Sequence, residues 1–190
     1  IYWTLEGEDV QGFLRDLIDR VYRHPLIHVL TEAKIIETSG YLGNFVTKVQ
    51  SGGTVYEIKH GVTILATGAV EYRPTEYLYG KDPRVVTALE FEELLAKRDQ
   101  KVLEAENVVM IQCVGSRSKE RNYCSRICCG ETMKNALKLK ELNPNCNIYV
   151  LYRDMRTYGF KEDLYRKAAD LGVVFIRFEP EQQPVVEQVQ

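Results

Sequence analysis

The sequence predicts an α/β protein in which an antiparallel meander precedes a parallel sheet, and three observations carry that prediction. Strand-like and helix-like segments alternate through the second half, the order that pairs strands in parallel through helical crossovers. Short strand-like pieces punctuated by glycine occupy residues 27–58, the pattern of antiparallel strands joined by tight turns. An unbroken apolar run, Val62-Thr63-Ile64-Leu65-Ala66, lacks the alternation of a half-exposed strand and reads as one buried on both faces.

Taken in order, residues 9–22 form an amphipathic helix, with Phe13, Leu14, Leu17, Ile18 and Val21 recurring at helical spacing. Pro25 ends it, because proline lacks the amide donor and disfavours helix at His24. Strand-like pieces follow at residues 27–30, 33–38, 44–49 and 54–58, with Gly40, Gly43 and Ser51-Gly52-Gly53 as the punctuation. Residues 71–84 contain Pro74, Gly80 and Pro83 and read as a linker. Thr87 and Glu90 make a capping box that opens a short helix to about Lys97. Val108–Ile111 is a buried strand, followed by a cysteine-bearing segment and a helix to about Leu142. A strand at residues 148–152, a helix at 160–171 stopped by Gly172, and a strand at 173–176 complete the chain.

The 190 residues suit one or two domains, and 45% hydrophobic with 27% charged residues is ordinary for a globular chain. Lys plus Arg number 25 against 27 Asp plus Glu, a net charge of -2, which argues against a dedicated nucleic-acid binder. No apolar run approaches the ~20 residues needed to cross a bilayer. The first ten residues carry Glu6, Glu8 and Asp9 and lack the basic and apolar regions of a signal peptide. The chain opens at Ile1 in mid-pattern, so it reads as a piece of a longer polypeptide.

The cysteines hold the chemical information. Cys113, Cys124, Cys128 and Cys129 cluster, while Cys146 stands alone. A disulfide scaffold spreads its cysteines through a small, loop-rich secreted chain; clustered thiols in a regular chain point to a cytoplasmic protein with metal or redox chemistry. Cys113 is placed at the carboxyl end of a strand, where ligands gather in open α/β sheets. Cys124 and Cys128, four apart, are placed on one face at the start of the next helix, with Cys129 about 100° further round. Arg117, Lys119, Arg121 and Arg126 surround them against a single Glu120, and the helix amino terminus adds free N–H groups. These surroundings suit the anionic assembly of four thiolates on a [4Fe-4S] core, and Arg117, Arg121 and Arg126 are candidates for tuning its potential. A four-cysteine zinc site and unligated thiols are the competing readings, although adjacent Cys128-Cys129 fits the paired spacing of zinc ligands poorly.

The strand, turn and helix at 108–142 stand where a Rossmann domain carries Gly-x-Gly-x-x-Gly, yet Cys113-Val114-Gly115-Ser116-Arg117 has one glycine. Close backbone approach to a pyrophosphate needs those glycines, so the domain reads as Rossmann-like with its pocket given over to thiols. Ala66-Thr67-Gly68 puts a small residue at the end of a buried strand, where backbone meets a ligand. His24, His28 and His60 fall at turns or strand ends and read as surface or structural residues.

The runs Ile111-Gln112-Cys113-Val114-Gly115-Ser116-Arg117 and Tyr123-Cys124-Ser125-Arg126-Ile127-Cys128-Cys129 closely resemble the A-type subunit of heterodisulfide reductase, an iron–sulfur flavoprotein. Residues 152–159 and 172–177 are similar to the same family, over about residues 60–187 in all. The resemblance implies a thioredoxin-reductase-like core holding FAD, with one [4Fe-4S] cluster on Cys113, Cys124, Cys128 and Cys129. It places Ala66, Thr67 and Gly68 against the FAD, and assigns residues 1–72 to the carboxyl-terminal part of a split FAD-binding domain. Residues 73–84 become a linker, and 85–190 the Rossmann-like, cluster-bearing domain. The implied function is an electron-transfer segment of a cytoplasmic FAD and [4Fe-4S] oxidoreductase, partnered by other redox subunits of a heterodisulfide reductase-type complex. The amino-terminal glycine fingerprint for FAD is absent from these residues, so the FAD site within them is incomplete. The alternative is a non-catalytic, zinc-stapled or metal-free module that docks partner subunits.

Overall fold

The computed structural model describes residues 1–189. Contacts divide the chain into two compact units: Phe13–Glu71, and Ile1–Gly12 together with the residues from Tyr72 onward. The sequence groups residues 1–72 together, whereas the first twelve side with the later unit. Their anchor is ionic. Glu92 accepts from the Tyr2 and Trp3 backbone N–H groups at 2.7 and 3.4 Å. Lys134 bonds the Trp3 carbonyl at 3.2 Å, and meets Glu92 and Glu131 at 3.0 Å each.

The later unit is built on helix α2 (Ala88–Ala96), a short turn of helix α3 (Gln100–Leu103), strand β4 (Asn107–Ile111), helix α4 (Cys128–Leu142), strand β5 (Asn147–Tyr152), helix α5 (Glu162–Asp170) and strand β6 (Val174–Arg177). The strands lie in the order β4-β5-β6, all parallel, with Val108 beside Ile148 and Val150 beside Phe175. Met133, Ala136 and Leu139 of α4 meet Ile148 and Val150 of β5 and Ala168 of α5 in a core none of whose members is exposed. Thr87 caps α2 as its spacing predicts: its hydroxyl accepts from the Glu90 N–H while the Glu90 carboxylate accepts from the Thr87 N–H. Gly172, at φ 82°, follows α5 in the left-handed conformation that stops a helix. Residues 76–84 form successive turns and bends after an irregular stretch at 73–75, and Arg73 and Tyr79 both reach Glu90.

One face of this sheet is open. Val109, Val174 and Ile176 stay exposed, and the other side of β4 is only half-buried, with Val108 and Met110 packed against the core. The sequence reads Val108–Ile111 as a buried strand; its apolar run reports hydrophobicity, and only the side facing the helices is packed.

The unit Phe13–Glu71 carries most of helix α1 (Val10–Arg23) and an antiparallel sheet of β1 (Lys34–Tyr41), β2 (Asn44–Ser51) and β3 (Thr54–His60), ordered β1-β2-β3. No residue of α1 is buried, and Phe13, Leu14, Leu17 and Ile18 all face solvent. Within the unit only Thr47 and Val49 of the central strand are buried. A polar chain runs across it, from Thr38 through Thr47 to His60 Nε2, and from His60 Nδ1 to the Val62 carbonyl. His60 also stacks on Phe45 at 5.5 Å.

Three local expectations fail here. Residues 27–30 form no strand, and β1 runs straight through Gly40 instead of ending before it. Gly40 sits at φ 97°, with a would-be Cβ only 2.1 Å from the Asn44 carbonyl oxygen, so the strand there requires glycine. Val62–Ala66 is neither strand nor buried: Val62, Ile64 and Leu65 are exposed. An apolar run becomes a strand only where a sheet edge accepts its backbone, and the sheet of this unit is made by β1, β2 and β3. The outcome is a mixed α/β chain with one antiparallel and one parallel three-stranded sheet, the latter a Rossmann-like partial domain. No helix among the described residues is long and apolar enough to cross a membrane.

Candidate functional site

Cys113 lies two residues beyond β4, after Gln112 has extended the ladder by donating its N–H to the Leu151 carbonyl at 2.9 Å. Gln112 is buried, and its amide meets Thr132 in α4 at 2.6 Å. That bond ties the end of the strand to the first turns of the helix, the two places that carry thiols. Between them the backbone is forced: Cys113, Arg117 and Arg126 have φ of 65°, 58° and 61°, in the left-handed region that side chains disfavour. Such positions gather where function over-determines the chain.

Helix α4 begins at Cys128, so Cys128 and Cys129 lie in its first turn and Cys124 lies on the loop before it. The sequence places Cys124 on the helix; four residues of loop stand in that place. No side chain caps α4, whose first N–H groups and dipole therefore face the thiols. The Cys128 thiol is pulled down to about 5. The Cys129 thiol donating to it is the main cause, opposed by burial and assisted by the Ser125 hydroxyl and the N–H groups of Cys113 and Cys129. Cys129, giving that bond and buried, is pushed far up. Burial and then the Cys128 charge push Cys113 up, while Arg117 and Arg153 pull it down. Cys128 is thus the most readily ionised of these three thiols, and its charge opposes ionisation of Cys113 and Cys129. Cys124 is held separately, its sulfur accepting the Arg126 N–H at 3.4 Å.

The arginines divide. Arg117 Nη1 points at the Cys113 sulfur at 4.0 Å while Nη2 is bound to Asp154 at 2.6 Å. Arg121 lies over the Tyr72 ring at 4.4 Å, and Arg126 acts on Cys124 through its backbone. Arg153 and Asp154 are the residues that sequence reasoning misses. They follow β5, and the rule that ligands collect beyond the carboxyl ends of parallel strands applies to β5 as much as to β4. Arg153 Nη1 donates to the Arg117 carbonyl at 2.7 Å, and the Cys129 thiol faces the Asp154 carbonyl at 3.9 Å. Cys146 lies in the core away from solvent. Ala66, Thr67 and Gly68 belong to the other unit, exposed and irregular, with Gly68 at φ 67°.

Among the described residues no three His, Cys, Asp or Glu side chains converge closely enough to hold a single metal ion. A zinc ion draws four sulfurs to about 2.3 Å from one point. A [4Fe-4S] core takes each thiolate on a different iron, at four separated corners, and so asks for thiols spread further apart. The donor set fits the second group: thiols at a strand end, on a loop and at a helix start, an N–H and a hydroxyl on sulfur, and Arg117 beside Cys113.

A parallel sheet whose first crossover loop carries cysteines in place of the dinucleotide glycines defines a Rossmann-like partial domain with thiols where a nucleotide pocket would open. No protein-family model matches the sequence. The chain is 39% identical over 140 residues to the A-type subunit of the H(2):CoB-CoM heterodisulfide,ferredoxin reductase of Methanothermobacter marburgensis, covering 65% of this chain and 21% of that protein. It is 38% identical over 140 residues to the iron-sulfur A-type subunit of the CoB--CoM heterodisulfide reductase of Methanocaldococcus jannaschii, with the same coverage. It is 35% identical over 136 residues to the A-type subunit of the ferredoxin/F(420)H(2)-dependent CoB-CoM heterodisulfide reductase of Methanosarcina acetivorans, covering 64% of this chain and 17% of that protein. The chain is like the A-type subunit of heterodisulfide reductase, and it spans about a fifth of the length of these relatives.

Proposed function

We propose that this chain is an electron-transfer segment of a cytoplasmic FAD and [4Fe-4S] oxidoreductase, with Cys113, Cys124, Cys128 and Cys129 as the ligands of one cluster. The observation that carries the reading is the placement of Cys113 just beyond β4 and of Cys128 and Cys129 in the uncapped first turn of α4, with donors on sulfur: the Ser125 hydroxyl on Cys128 at 3.6 Å and the Arg126 N–H on Cys124 at 3.4 Å. Similarity to proteins named as reductase subunits, one of them as an iron–sulfur subunit, supports it. Bound there, the cluster would accept and release single electrons. The chain's residues supply sulfur, N–H bonds to it, and a loop held in shape by the Gln112–Thr132 and Arg153–Arg117 bonds.

Residues 85–190 then form the cluster-bearing domain, 73–84 a linker, and 1–72 the end of a split FAD-binding domain whose first twelve residues pack against the later unit, with Ala66, Thr67 and Gly68 against the flavin. Its partners are the other redox subunits of a heterodisulfide reductase-type complex. Anaerobic reconstitution with iron and sulfide tests the ligand set. A brown protein with about four irons per chain is the expected product. Cys124→Ser and Cys128→Ser lose or degrade the cluster, and Cys146→Ser keeps it. Equal iron in all three variants, or one tightly held zinc in place of iron, overturns the assignment.

A further inference from the structure

A cavity of about 340 Å³ opens at the carboxyl end of the parallel sheet, with Tyr72, Gln112, Cys113, Gly115, Arg117 and Arg153 among its walls. Two of these residues hold buried polar atoms without a partner: Gln112 Oε1 and Arg153 Nε. A buried donor left unpaired carries the full desolvation penalty of its group, and the penalty is larger for a charged one. Such an atom persists where something outside the chain's own atoms satisfies it.

The three guanidinium groups of this cavity are in different states. Arg117 is neutralised by Asp154 at 2.6 Å, and Arg121 rests on the Tyr72 ring at 4.4 Å. No carboxylate among the described residues pairs with Arg153. Its Nη1 is fixed to the Arg117 carbonyl at 2.7 Å, which ties the side chain to the residue that follows the Cys113–Ser116 turn and that itself reaches the Cys113 sulfur. Arg153 therefore brings to the Cys113 wall an uncompensated positive charge, a spare donor and a fixed position.

We infer that Arg153 is the positioning residue that sets the redox potential at Cys113, its unpaired Nε and its charge being directed to the thiolate and sulfide of the bound cluster. The inference rests on the cluster reading above. A cation and a hydrogen bond beside sulfur stabilise the more negative, reduced state, so Arg153 raises the potential. Removing it makes the cluster harder to reduce.

The test is an anaerobic redox titration of the reconstituted full chain, followed by the electron paramagnetic resonance of the reduced cluster, with iron counted in each sample. Arg153→Gln should retain iron and show an about tenfold lower ratio of reduced to oxidised cluster at a fixed potential, which is 59 mV for one electron. Arg153→Lys keeps a charge but loses the planar Nε donor, and it should shift the same way by less. Iron-loaded Arg153→Gln with the wild-type potential overturns the inference. Should Arg153→Gln fail to fold, a wild-type potential in Arg153→Lys overturns it as well. A wild-type chain that takes up no iron overturns the cluster reading itself, a result distinct from equal potentials in loaded proteins.

Discussion

The two units use similar amounts of regular structure to different ends. The parallel-sheet unit buries a layer of side chains between β4-β5-β6 and its helices, and it seals an ionic knot of Glu92, Lys134 and Glu131 beneath its first residues. The unit Phe13–Glu71 has two well-ordered strand pairings and almost no interior. Backbone hydrogen bonds alone suffice to define a meander, yet they give it little to lose when a side chain is removed. The cysteine site belongs to the first kind of unit, because holding sulfur atoms in place needs a rigid strand end and a rigid helix end.

The contrast is broken most severely at Lys134, which is buried between two carboxylates and touches the Trp3 carbonyl. Lys134→Ala strands Glu92 in the interior and should cost about 4 kcal/mol, the loss typical of removing one partner from a buried ion pair. Urea unfolding followed by Trp3, the single tryptophan, whose ring lies 5.4 Å from the Lys134 ammonium, reads the change directly. The matched change in the meander, Lys48→Ala of the exposed Lys48–Glu37 pair, should leave stability within error. Comparable losses at the two sites would erase the distinction between the units.

A smaller effect separates two glycines. Alanine at Gly40 must place its Cβ against a backbone oxygen that cannot swing aside, so Gly40→Ala should cost about 2 kcal/mol and speed amide exchange in β1 and β2. At Gly115, also left-handed at φ 69°, the obstacle to an added Cβ is the Tyr72 side chain. Turning the ring alone leaves its Cγ in the way, but the whole Tyr72 side chain can swing about its Cα–Cβ bond, so Gly115→Ala should cost about 1 kcal/mol and reshape the cavity beside Cys113. Exchange rates in β1 unchanged by Gly40→Ala would show that the hairpin tolerates a different backbone.

The smallest effect depends on pH. Hydrogen bonds from the Arg84 side chain, and then from its N–H, hold the Asp82 carboxyl well below the usual carboxylate range against the penalty of burial. Its folded pKa is lowered, so its contribution is complete above the unfolded value of about 3.9 and is lost as pH falls from there toward the folded value. Chemical unfolding of wild type and Asp82→Asn should therefore differ near neutrality and converge on acidification. A difference that grows as pH falls would contradict the assignment.

Much of this is legible in the residues, for identifiable reasons. The Thr87–Glu90 capping box, the stop at Gly172 and the three strands of the parallel sheet depend on local spacing and are found within a residue or two of where spacing puts them. Val62–Ala66 misleads because an apolar run states a preference for burial and says nothing about whether a sheet edge is there to receive it. Spacing also puts Cys124 one turn too early on a helix, since only the left-handed residues at 113, 117 and 126 show how far the loop must travel before α4 starts.

The residues in order are enough to say that four thiols stand around one crossover, after a strand and before a helix, in a chain similar to the A-type subunit of heterodisulfide reductase. The folded chain was needed to show that Cys128 lies in the uncapped first turn of α4 with the Ser125 hydroxyl on its sulfur, that Arg153 just beyond β5 lines the cavity beside Cys113, and that the first twelve residues pack with the later unit. Spacing along the chain governs what a helix or strand presents over a few residues. Charge, burial and unpaired donors depend on atoms that are distant in sequence and meet only when the strands align.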